Sequence, residues 1–199
     1  IATIIGGLLG VFIYEYKRLA VPVMVVVNFL YTIPSISMLG LLLYVSGVGN
    51  TTAIIALVIY ALLPMVRNTF TGLNQIDQAM CEAGIALGLT RIQRLWNIEI
   101  PLAMPTIMAG IRTMLVMTIA LTGIASFIGA GGLGVAIYRG ITTNQSALTI
   151  AGSLLIALLA ITVDALFSLG ERVTRISPHM KRYTIIFVSI MTIIAMGIG

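Results

Sequence analysis

The chain has almost none of the residues that chemistry at an active site needs. It contains one cysteine, one histidine and six acidic residues in 199 positions. Because Cys81 is alone, neither an intrachain disulfide nor a thiolate metal cluster can form, and the lone His179 lies in a basic segment where histidine is usually solvated. The sequence shows no Ser/His/Asp, Cys/His or paired-carboxylate arrangement and no G-x-x-x-x-G-K-[ST] phosphate loop. We therefore expect no catalytic residue, no metal site and no cofactor in this chain.

Charge is scarce as well. Charged residues make up 9% of the chain and hydrophobic residues 59%, with a mean hydropathy of +1.12, whereas about a quarter of the residues in a soluble domain are charged. Residues 19–66, 140–163 and 183–199 carry no charge, and roughly 20 apolar residues cross a bilayer. The runs are continuous rather than alternating, which predicts helices and not a barrel. The expected fold class is an all-α polytopic membrane protein, a helical bundle.

Six apolar runs are candidate membrane spans. They cover residues 1–14, 19–46, 52–66, 101–127, 146–168 and 183–199. The first run is too short to cross a bilayer and residue 1 is not methionine, so we expect the chain to begin inside a span, with native sequence upstream. That run also lacks the basic n-region and the cleavage site of a signal peptide. The pattern predicts about five core spans and one extra C-terminal span.

The positions of lysine and arginine predict the orientation. An up-and-down threading places most basic residues on one side, which the positive-inside rule makes cytoplasmic. These residues are Lys17, Arg18, Arg67, Arg91, Arg94, Arg172, Arg175, Lys181 and Arg182. Residues 46–52 and 129–145 are then expected outside. The net charge of +5 follows from this topology and indicates no nucleic-acid partner.

The stretch at residues 77–100 is a polar, structured loop between two spans. Asp77 matches the N-cap of a first short helix, and residues 88–89 match a break after it. Thr90 and Gln93 match a capping box that starts a second helix, predicted to run through Trp96.

Small residues in this loop favour close contact with another molecule. Ala83, Gly84 and Gly88 would admit another backbone or a bulky partner side chain, and Glu82 offers an acceptor for a basic group. An ordinary amphipathic surface helix is the alternative. The sequence favours a docking surface.

The spacing of this loop resembles a known motif. Glu82-Ala83-Gly84, three residues, Gly88, nine residues, Ile98, one residue and Ile100-Pro101 match the cytoplasmic EAA loop of ABC-importer permeases. Gly84 stands where that family usually has alanine, and Ile100 where it usually has leucine. Neither change alters the size or polarity class.

The resemblance implies the partners of the chain. In that family the loop docks into a cleft on an ATPase subunit, which assigns coupling to Glu82, Ala83, Gly84, Gly88, Arg91, Ile98 and Pro101. It implies two copies of a cytoplasmic ATPase that binds ATP and Mg, a second permease subunit in a homodimer, and an extracytoplasmic substrate-binding protein. It also implies a multi-pass protein of the bacterial cytoplasmic membrane, surrounded by lipid.

Further segments resemble one branch of the family. Residues 28–35 (NFLYTIPS), 60–69 (YALLPMVRNT) and 109–113 (AGIRT) are similar to permeases for glycine betaine, carnitine and choline. The phrase at 127–134, FIGAGGLG, is typical of both methionine and quaternary-amine permeases. The implied function is passage of a quaternary-amine or betaine-type solute. A methionine-type importer is the alternative, and a secondary transporter is disfavoured because no inverted repeat is evident.

Polar and aromatic residues near the prolines predict a solute path. Pro34 and Pro64 free backbone carbonyls and should kink their spans. The candidate path residues are Asn28, Tyr31, Thr32, Ser35, Tyr60 and Phe127, with Tyr44 as a further aromatic surface. Aromatic and hydroxyl surfaces bind a trimethylammonium group weakly enough to release it. Side chains that merely join helices are the alternative.

A glycine-rich run follows one of the spans. Gly129, Gly131 and Gly134 fit G-x-G-x-x-G, but the run follows a membrane helix rather than a strand and has no acidic residue near the required offset. A dinucleotide site is therefore rejected. The run is expected to let residues 130–139 fold back as a re-entrant or interfacial segment.

Two charges fall within the apolar runs. Arg112 and Asp164 lie in different spans, and ionisable groups at such depth usually have a partner or a water-filled cavity. We predict that they pair and fix two helices, with a role in lining the pore as the alternative.

The chain divides into two regions. Residues 1–171 form the transmembrane domain with its coupling loop at 77–100, and residues 172–199 form a basic cytoplasmic linker and an extra transmembrane helix. In some members of the betaine and choline branch such a helix leads to a fused substrate-binding domain. The resemblance therefore implies either a fused domain after residue 199 or a separate extracytoplasmic binding protein.

Overall fold

The structure is a computed structural model, and it describes residues 1–176. Within this range all regular secondary structure is helical. The α-helices are α1 (Ala2–Glu15), α2 (Lys17–Thr32), α3 (Ser35–Ser46), α4 (Asn50–Asn74), α5 (Gln78–Ala86), α6 (Arg91–Arg94), α7 (Ile100–Ala125), α8 (Gly134–Thr142) and α9 (Ser146–Ile176). A π-helical turn (Leu95–Glu99) joins α6 to α7, and a 3-10 turn (Ser126–Ile128) follows α7. The predicted all-α class is confirmed.

The long helices correspond to the predicted spans. Three continuous helical stretches in the described residues are long and apolar enough to cross a membrane: Asn50–Asn74, Arg91–Ile128 and Ser146–Leu169. The bent pair α2 and α3 is a fourth candidate, and α1 is a shorter apolar helix. The predicted linker and extra span at 172–199 lie largely outside the described residues.

Pro34 breaks the run that the sequence presented as one span. Helix α2 ends at Thr32 and α3 begins at Ser35, with a bend of 96° between them. Ile33, directly before the proline, is extended with φ −67° and ψ 126°, because proline disfavours the helical region for the residue that precedes it. Pro64 behaves differently, since α4 continues through it. The kink predicted at Pro34 is present as a full break between two helices, while α4 runs through Pro64 without a break and the predicted kink there stays a prediction.

Helix α4 is longer than predicted. The apolar run ends at residue 66, but α4 continues to Asn74. Asn68 Nδ2 donates to the carbonyl of Pro64 at 2.7 Å, and Asn74 Nδ2 donates to that of Phe70 at 2.9 Å. These polar side chains bond to carbonyls of their own helix, which continues beyond the loss of hydrophobicity at Arg67.

The structure divides into two compact units. The first comprises residues 1–38 and 55–118. In it, α1 lies close to α4 through glycines: a Cβ on Gly6 would lie 2.8 Å from Met65 Cβ, and Gly10 faces Thr69 in the same way. Helix α7 approaches α4 similarly, since Gly110 faces the side chain of Asn68. Small residues that let backbones approach are a common means of packing helices in lipid.

The second unit comprises residues 39–54 and the described part of 119–199. Gly129 and Gly132 adopt the left-handed region, with φ +80° and +96°, and the chain then folds back as α8 against α9. Gly140 lies against Thr149, and Gly152 lies against Ile137. The predicted glycine break is present, and the segment after it is a short helix packed on its neighbour.

Candidate functional site

The first helix of the loop is fixed by a side-chain cap and a backbone cap. The N–H of Ala79 donates to Asp77 Oδ1 at 3.0 Å, as the sequence predicted. At the other end the N–H of Gly88 donates to the carbonyl of Ile85 at 2.9 Å, and that of Leu89 to the carbonyl of Gly84 at 3.1 Å. Together these bonds form a Schellman motif with Gly88 at the left-handed position.

Gly88 is required for its backbone angle and not for packing inside the chain. Its φ is +74°, a region that costs an ordinary L-residue about 1–2 kcal/mol. No atom of the described residues lies within 4 Å of a Cβ placed there. The space beside Gly88 is therefore open to a partner.

The second helix of the loop begins at the predicted capping box. The N–H of Thr90 donates to Gln93 Oε1 at 2.9 Å, and the N–H of Gln93 donates to Thr90 Oγ1 at 3.4 Å. The predicted end near Trp96 was wrong. The helix passes through the π turn into α7, so Arg91–Ile128 is one stretch of 38 residues.

Pro101 explains the π turn. In a regular α-helix its ring would clash with the carbonyl of residue 97, and it has no N–H to donate to that carbonyl. A widened turn directly before the proline relieves the clash, and the N–H of Ile100 reaches back five residues to the carbonyl of Leu95. The proline thus marks a change of helical pitch and not the start of a separate span.

The predicted coupling residues separate into exposed and internal ones. Glu82 and Ala83 are exposed, and Glu82 Oε1 accepts from Gln78 Nε2 at 2.9 Å. Gly84 is buried, and a Cβ there would lie 2.9 Å from Ile98 Cδ1 and 3.3 Å from Arg94 Cγ. The small residue at 84 therefore lets the two loop helices pack on each other, whereas the sequence suggested that it admits a partner.

Sequence reasoning missed an exposed apolar surface on the loop. Four large apolar side chains are largely solvent-accessible: Ile85, Leu87, Ile92 and Trp96, with exposed fractions of 58%, 79%, 69% and 63%. We call this set the apolar loop face. Clusters of exposed apolar residues rimmed by polar ones mark protein or membrane contacts. The polarity of the segment as a whole concealed it, because the four residues are spread over α5, the turn after it, α6 and the π turn.

An ion cluster anchors the loop to the transmembrane helices. Arg91 makes a two-pronged contact with Glu15 at the end of α1, from Nη2 to Oε1 at 2.6 Å and from Nε to Oε2 at 3.0 Å. Arg91 Nη1 also donates to Glu99 Oε1 at 2.6 Å, and Arg94 Nε donates to the same oxygen at 2.8 Å. The guanidinium of Arg91 lies over the ring of Tyr14, 5.5 Å from its centroid. The Arg91 guanidinium therefore binds Glu15 and Glu99 while 40% of the side chain stays exposed, and its predicted part in coupling stays a prediction.

Glu15 and Glu99 were not identified from the sequence. Glu99 is fully buried inside the π turn, while Glu15 lies 76 positions from Arg91. The available signal was the presence of an acid, Glu99, between two isoleucines, a few positions after Arg91 and Arg94. The π turn determines the direction of the Glu99 side chain. A prediction based on 3.6 residues per turn does not allow for such a turn.

Cys81 lies beside this cluster. Its Sγ is 3.9 Å from Glu99 Oε1. Burial raises the pKa of the Cys81 thiol, and the negative charge of Glu99 raises it further. The thiol is therefore protonated at neutral pH, unlike the thiolate of a reactive cysteine.

A cleft of about 820 Å³ opens where the turn between α1 and α2 meets the loop. It is lined by Tyr14, Glu15, Tyr16, Lys17, Arg18, Leu19, Cys81, Arg91, Arg94 and Glu99. The structure thus brings the basic pair Lys17 and Arg18 to the same end of the first unit as the loop. This agrees with the threading that put both on one side of the membrane.

The predicted path residues are only partly brought together. In the first unit the rings of Tyr31 and Tyr60 meet edge to face, with centroids 6.0 Å apart, and Tyr31 Oη lies 3.9 Å from Met117 Sδ. The hydroxyl of Tyr60 donates to the carbonyl of Ile33, which the break at Pro34 leaves without a helical partner. Thr32 Oγ1 donates to the carbonyl of Phe29 at 2.7 Å.

The other path candidates have separate surroundings. Asn28 is exposed and Ser35 half-buried. Phe127 belongs to the second unit, where its ring meets that of Tyr138 at 5.3 Å. Arg112 lies in α7 and Asp164 in α9, and their pairing stays a prediction.

The turn before α4 is tied to the glycine-rich segment of the second unit. The N–H of Gly49 donates to the carbonyl of Ile128, and the N–H of Gly131 donates to Asn50 Oδ1, both at 3.1 Å. These are the two stretches that the threading placed outside. Their contact agrees with that shared placement.

Comparison with known proteins identifies the family. A family model described as a binding-protein-dependent transport system inner membrane component matches residues 2–176. The glycine betaine/carnitine/choline transport system permease protein OpuCD of Bacillus subtilis (strain 168) is 44% identical over 182 residues, 91% of this chain and 79% of that protein. The ergothioneine transport permease/ergothioneine binding protein EgtU of Helicobacter pylori (strain G27) is 40% identical over 168 residues, 84% of this chain and 30% of that protein.

A solved structure supports the fold. The inward-facing methionine ABC transporter MetNI aligns with a TM-score of 0.76 over 86% of this chain and 90% of that chain, at 21% identity. At this identity the likeness shows the fold alone. The resemblance to ABC-importer permeases is confirmed, and the chain is a multi-pass inner-membrane transport component. It belongs to the family of binding-protein-dependent transport system inner membrane components.

Proposed function

We propose that this chain forms the membrane path of an ATP-driven importer for a quaternary-amine or betaine-type solute, and that the loop at 77–100 couples it to a separate ATPase. The observation that carries the proposal is the loop geometry. Two capped helices present the exposed residues Glu82 and Ala83 next to the apolar loop face. A surface of this kind suits a protein partner, since exposed apolar side chains gain free energy when a contact removes them from water.

The chain contributes no catalytic chemistry of its own in this proposal. Two copies of a cytoplasmic ATPase bind ATP and Mg, and a second permease subunit of the same sequence completes the path. Closure of the ATPase pair around ATP would displace both loops and open the path outward, and hydrolysis would reset it. The continuous helix Arg91–Ile128 supports this, because any displacement of the loop acts directly on a candidate span.

The substrate class rests on the relatives and on the aromatic path residues. The name of the Bacillus subtilis relative specifies glycine betaine, carnitine and choline, and its identity to this chain is about twice that of the methionine transporter. The ring of Tyr31 is partly exposed beside the break at Pro34 and packs edge to face on the buried ring of Tyr60. Such rings attract a trimethylammonium group without the tight hold of a carboxylate.

Specificity in this proposal lies in an extracytoplasmic receptor. The relative from Helicobacter pylori is named both a permease and a binding protein, and this chain covers 30% of it. This supports the proposal that residues 172–199 lead to a fused substrate-binding domain, with a separate binding protein as the alternative.

Transport in proteoliposomes tests the function. Vesicles should contain this chain, its ATPase and its receptor. Radiolabelled glycine betaine, carnitine, choline or methionine is added on the side of the membrane that carries the receptor. We expect uptake of at least one quaternary amine that requires both ATP and the receptor. Downhill flux without ATP would contradict the proposal in favour of a channel or secondary carrier. If the receptor supports uptake of methionine alone, the chain is still an importer subunit, but its substrate is methionine and not a quaternary amine.

A further inference from the structure

The contacts of Arg91 join three parts of the chain that are separate in sequence. Arg91 belongs to the coupling loop, Glu15 ends α1, and Glu99 lies in the turn that leads into α7. Each contact is a charge-assisted hydrogen bond of 2.6 Å, and the one to Glu15 has a second prong at 3.0 Å. A two-pronged contact between guanidinium and carboxylate fixes orientation as well as distance.

Because Glu99 is buried, its carboxylate depends on the hydrogen bonds that Arg91 and Arg94 donate to it. The Glu99 side chain has no exposed surface, and its Oε1 accepts from both Arg91 and Arg94. A buried carboxylate that lost one of these donors would keep its desolvation cost without full compensation. The position of Arg91 relative to the π turn is therefore fixed in any state in which Glu99 stays buried.

The contact with Glu15 is different, because it is partly exposed. The side chains of Arg91 and Glu15 have exposed fractions of 40% and 28%. Ion pairs this accessible to water contribute little to stability. The bridge to α1 is therefore poorly explained as a stabilising contact, although its geometry is well defined.

Both anchored elements continue into the membrane part of the first unit. Glu99 precedes α7 within the continuous helix Arg91–Ile128. Glu15 ends α1, whose Gly6 and Gly10 lie in direct contact with Met65 and Thr69 of α4. Such close packing moves as a unit because it leaves no slack between the backbones. A displacement of Arg91 thus reaches α7 through the backbone and α1 through a side-chain bridge.

We propose that Glu15, Arg91, Glu99 and Arg94 form an ion-pair joint that passes movement of the coupling loop to α1 as well as to α7. The joint rests on the proposed function, since it needs a loop that an ATPase moves. Arg91 and Glu15 are positioning residues that touch neither nucleotide nor solute. Their role is to make α1 follow the loop, so that each ATP cycle changes the path on two helices together.

The joint predicts a loss of coupling without a loss of assembly. Glu15→Gln keeps the size of the side chain and removes its charge, and Arg91→Lys keeps the charge and removes the two-pronged contact. In proteoliposomes with the ATPase and receptor, both variants should bind the ATPase as the unmodified chain does. The quantity of solute imported per ATP hydrolysed should fall about fivefold or more, the lower end of the usual coupling range.

A control variant and a stability measurement separate this from a merely structural role. Arg18→Gln removes a charge from the same cleft but from a side chain outside both the coupling loop and the ion cluster, so its import per ATP should equal that of the unmodified chain. Thermal unfolding in detergent should differ little between Glu15→Gln and Arg18→Gln, since Glu15 is partly exposed.

The outcomes are distinguishable. An unchanged ratio of import to hydrolysis in both Glu15→Gln and Arg91→Lys would overturn the joint while leaving the importer intact. Loss of ATPase binding in these variants would also overturn it and place the cluster in the docking surface. Failure of the unmodified chain to bind any ATPase would instead refute the proposed function, and the joint with it.

Discussion

At the scale of single residues, the glycines of the coupling loop have different physical roles. Gly84 is buried beneath Arg94 and Ile98, so its missing side chain is needed inside the chain. Gly88 has open space around its Cβ position and a φ of +74°. The sequence motif treats both as small residues, while the structure requires space at one and a left-handed backbone at the other.

Substitutions at Gly88 can distinguish a requirement for the left-handed backbone angle from a requirement for close contact with a partner. We expect Gly88→Val to weaken ATPase binding and abolish most uptake, because a β-branched residue at this angle costs at least about 1–2 kcal/mol and would unwind the Schellman motif. Gly88→Asn should retain most of both, since asparagine tolerates the left-handed region. ATPase binding by pull-down and uptake in proteoliposomes measure the difference.

An equal loss in both variants would contradict the backbone explanation. It would show instead that a partner approaches Gly88 too closely for any side chain, as the sequence suggested. If Gly88→Val is expressed at the level of the unmodified chain and supports normal uptake, the assignment of residues 77–100 as the coupling loop is refuted.

At the scale of elements, the close approach of α1 to α4 depends on two glycines one helical turn apart. The Cβ of Gly6 or Gly10 in any other residue would overlap Met65 or Thr69. Gly40 in α3 offers a contrast, because nothing in the described residues lies within 4 Å of its Cβ position. Comparing the same substitution at Gly10 and at Gly40 therefore separates the effect of packing from that of helix propensity.

We expect Gly10→Val to destabilise the protein in detergent by about 1–3 kcal/mol, the usual cost of overpacking a filled interior. Gly40→Val should change the free energy of unfolding by less, since the same residue enters open space in a helix. Thermal unfolding of the two purified variants provides the comparison. Equal destabilisation would show that helix propensity, and not contact with Thr69, decides the effect.

Local signals in the sequence predicted local structure well. The Asp77 cap, the Thr90 and Gln93 capping box and the break at residues 88–89 each depend on a few adjacent residues, and all are present. The break at Pro34 also follows from one residue type. What failed was the end of the second loop helix, because Pro101 is accommodated by a π turn that no simple periodicity describes.

Contacts between distant segments could not be predicted in the same way. The bridge between Glu15 and Arg91 spans 76 positions, and the local sequence around either residue does not indicate its partner. The burial of Gly84 likewise depends on how the two loop helices fold together. Charge placement predicted only that these segments share a membrane face, since topology follows from the distribution of lysine and arginine over the whole chain.

At the scale of the whole molecule, the apolar loop face is the surface through which the chain should join its ATPase. Leu87 is 79% exposed within the loop, and Val48 is 78% exposed in the turn that the threading places on the opposite side of the membrane. Both are single aliphatic side chains on turns between helices. They form a matched pair in which only Leu87 should be buried by a cytoplasmic partner.

We expect Leu87→Ser to weaken ATPase affinity about tenfold or more, since burial of a leucine side chain contributes roughly 1.5–3 kcal/mol and each 1.4 kcal/mol is a factor of ten. Val48→Ser should leave this affinity unchanged. The dissociation constant can be measured by titrating purified ATPase onto the permease in nanodiscs, so that neither variant is judged by uptake alone.

Trp96 offers an independent readout of the same contact, because it is the single tryptophan of the chain. Labelling this chain alone with fluorotryptophan gives one fluorine resonance, which should shift and lose solvent accessibility when unlabelled ATPase binds, since Trp96 is 63% exposed in the isolated chain. Leu87→Ser should require more ATPase for the same shift. If the resonance stays unchanged while the ATPase binds, the partner contacts the chain elsewhere, and the apolar loop face faces lipid or a neighbouring permease subunit instead.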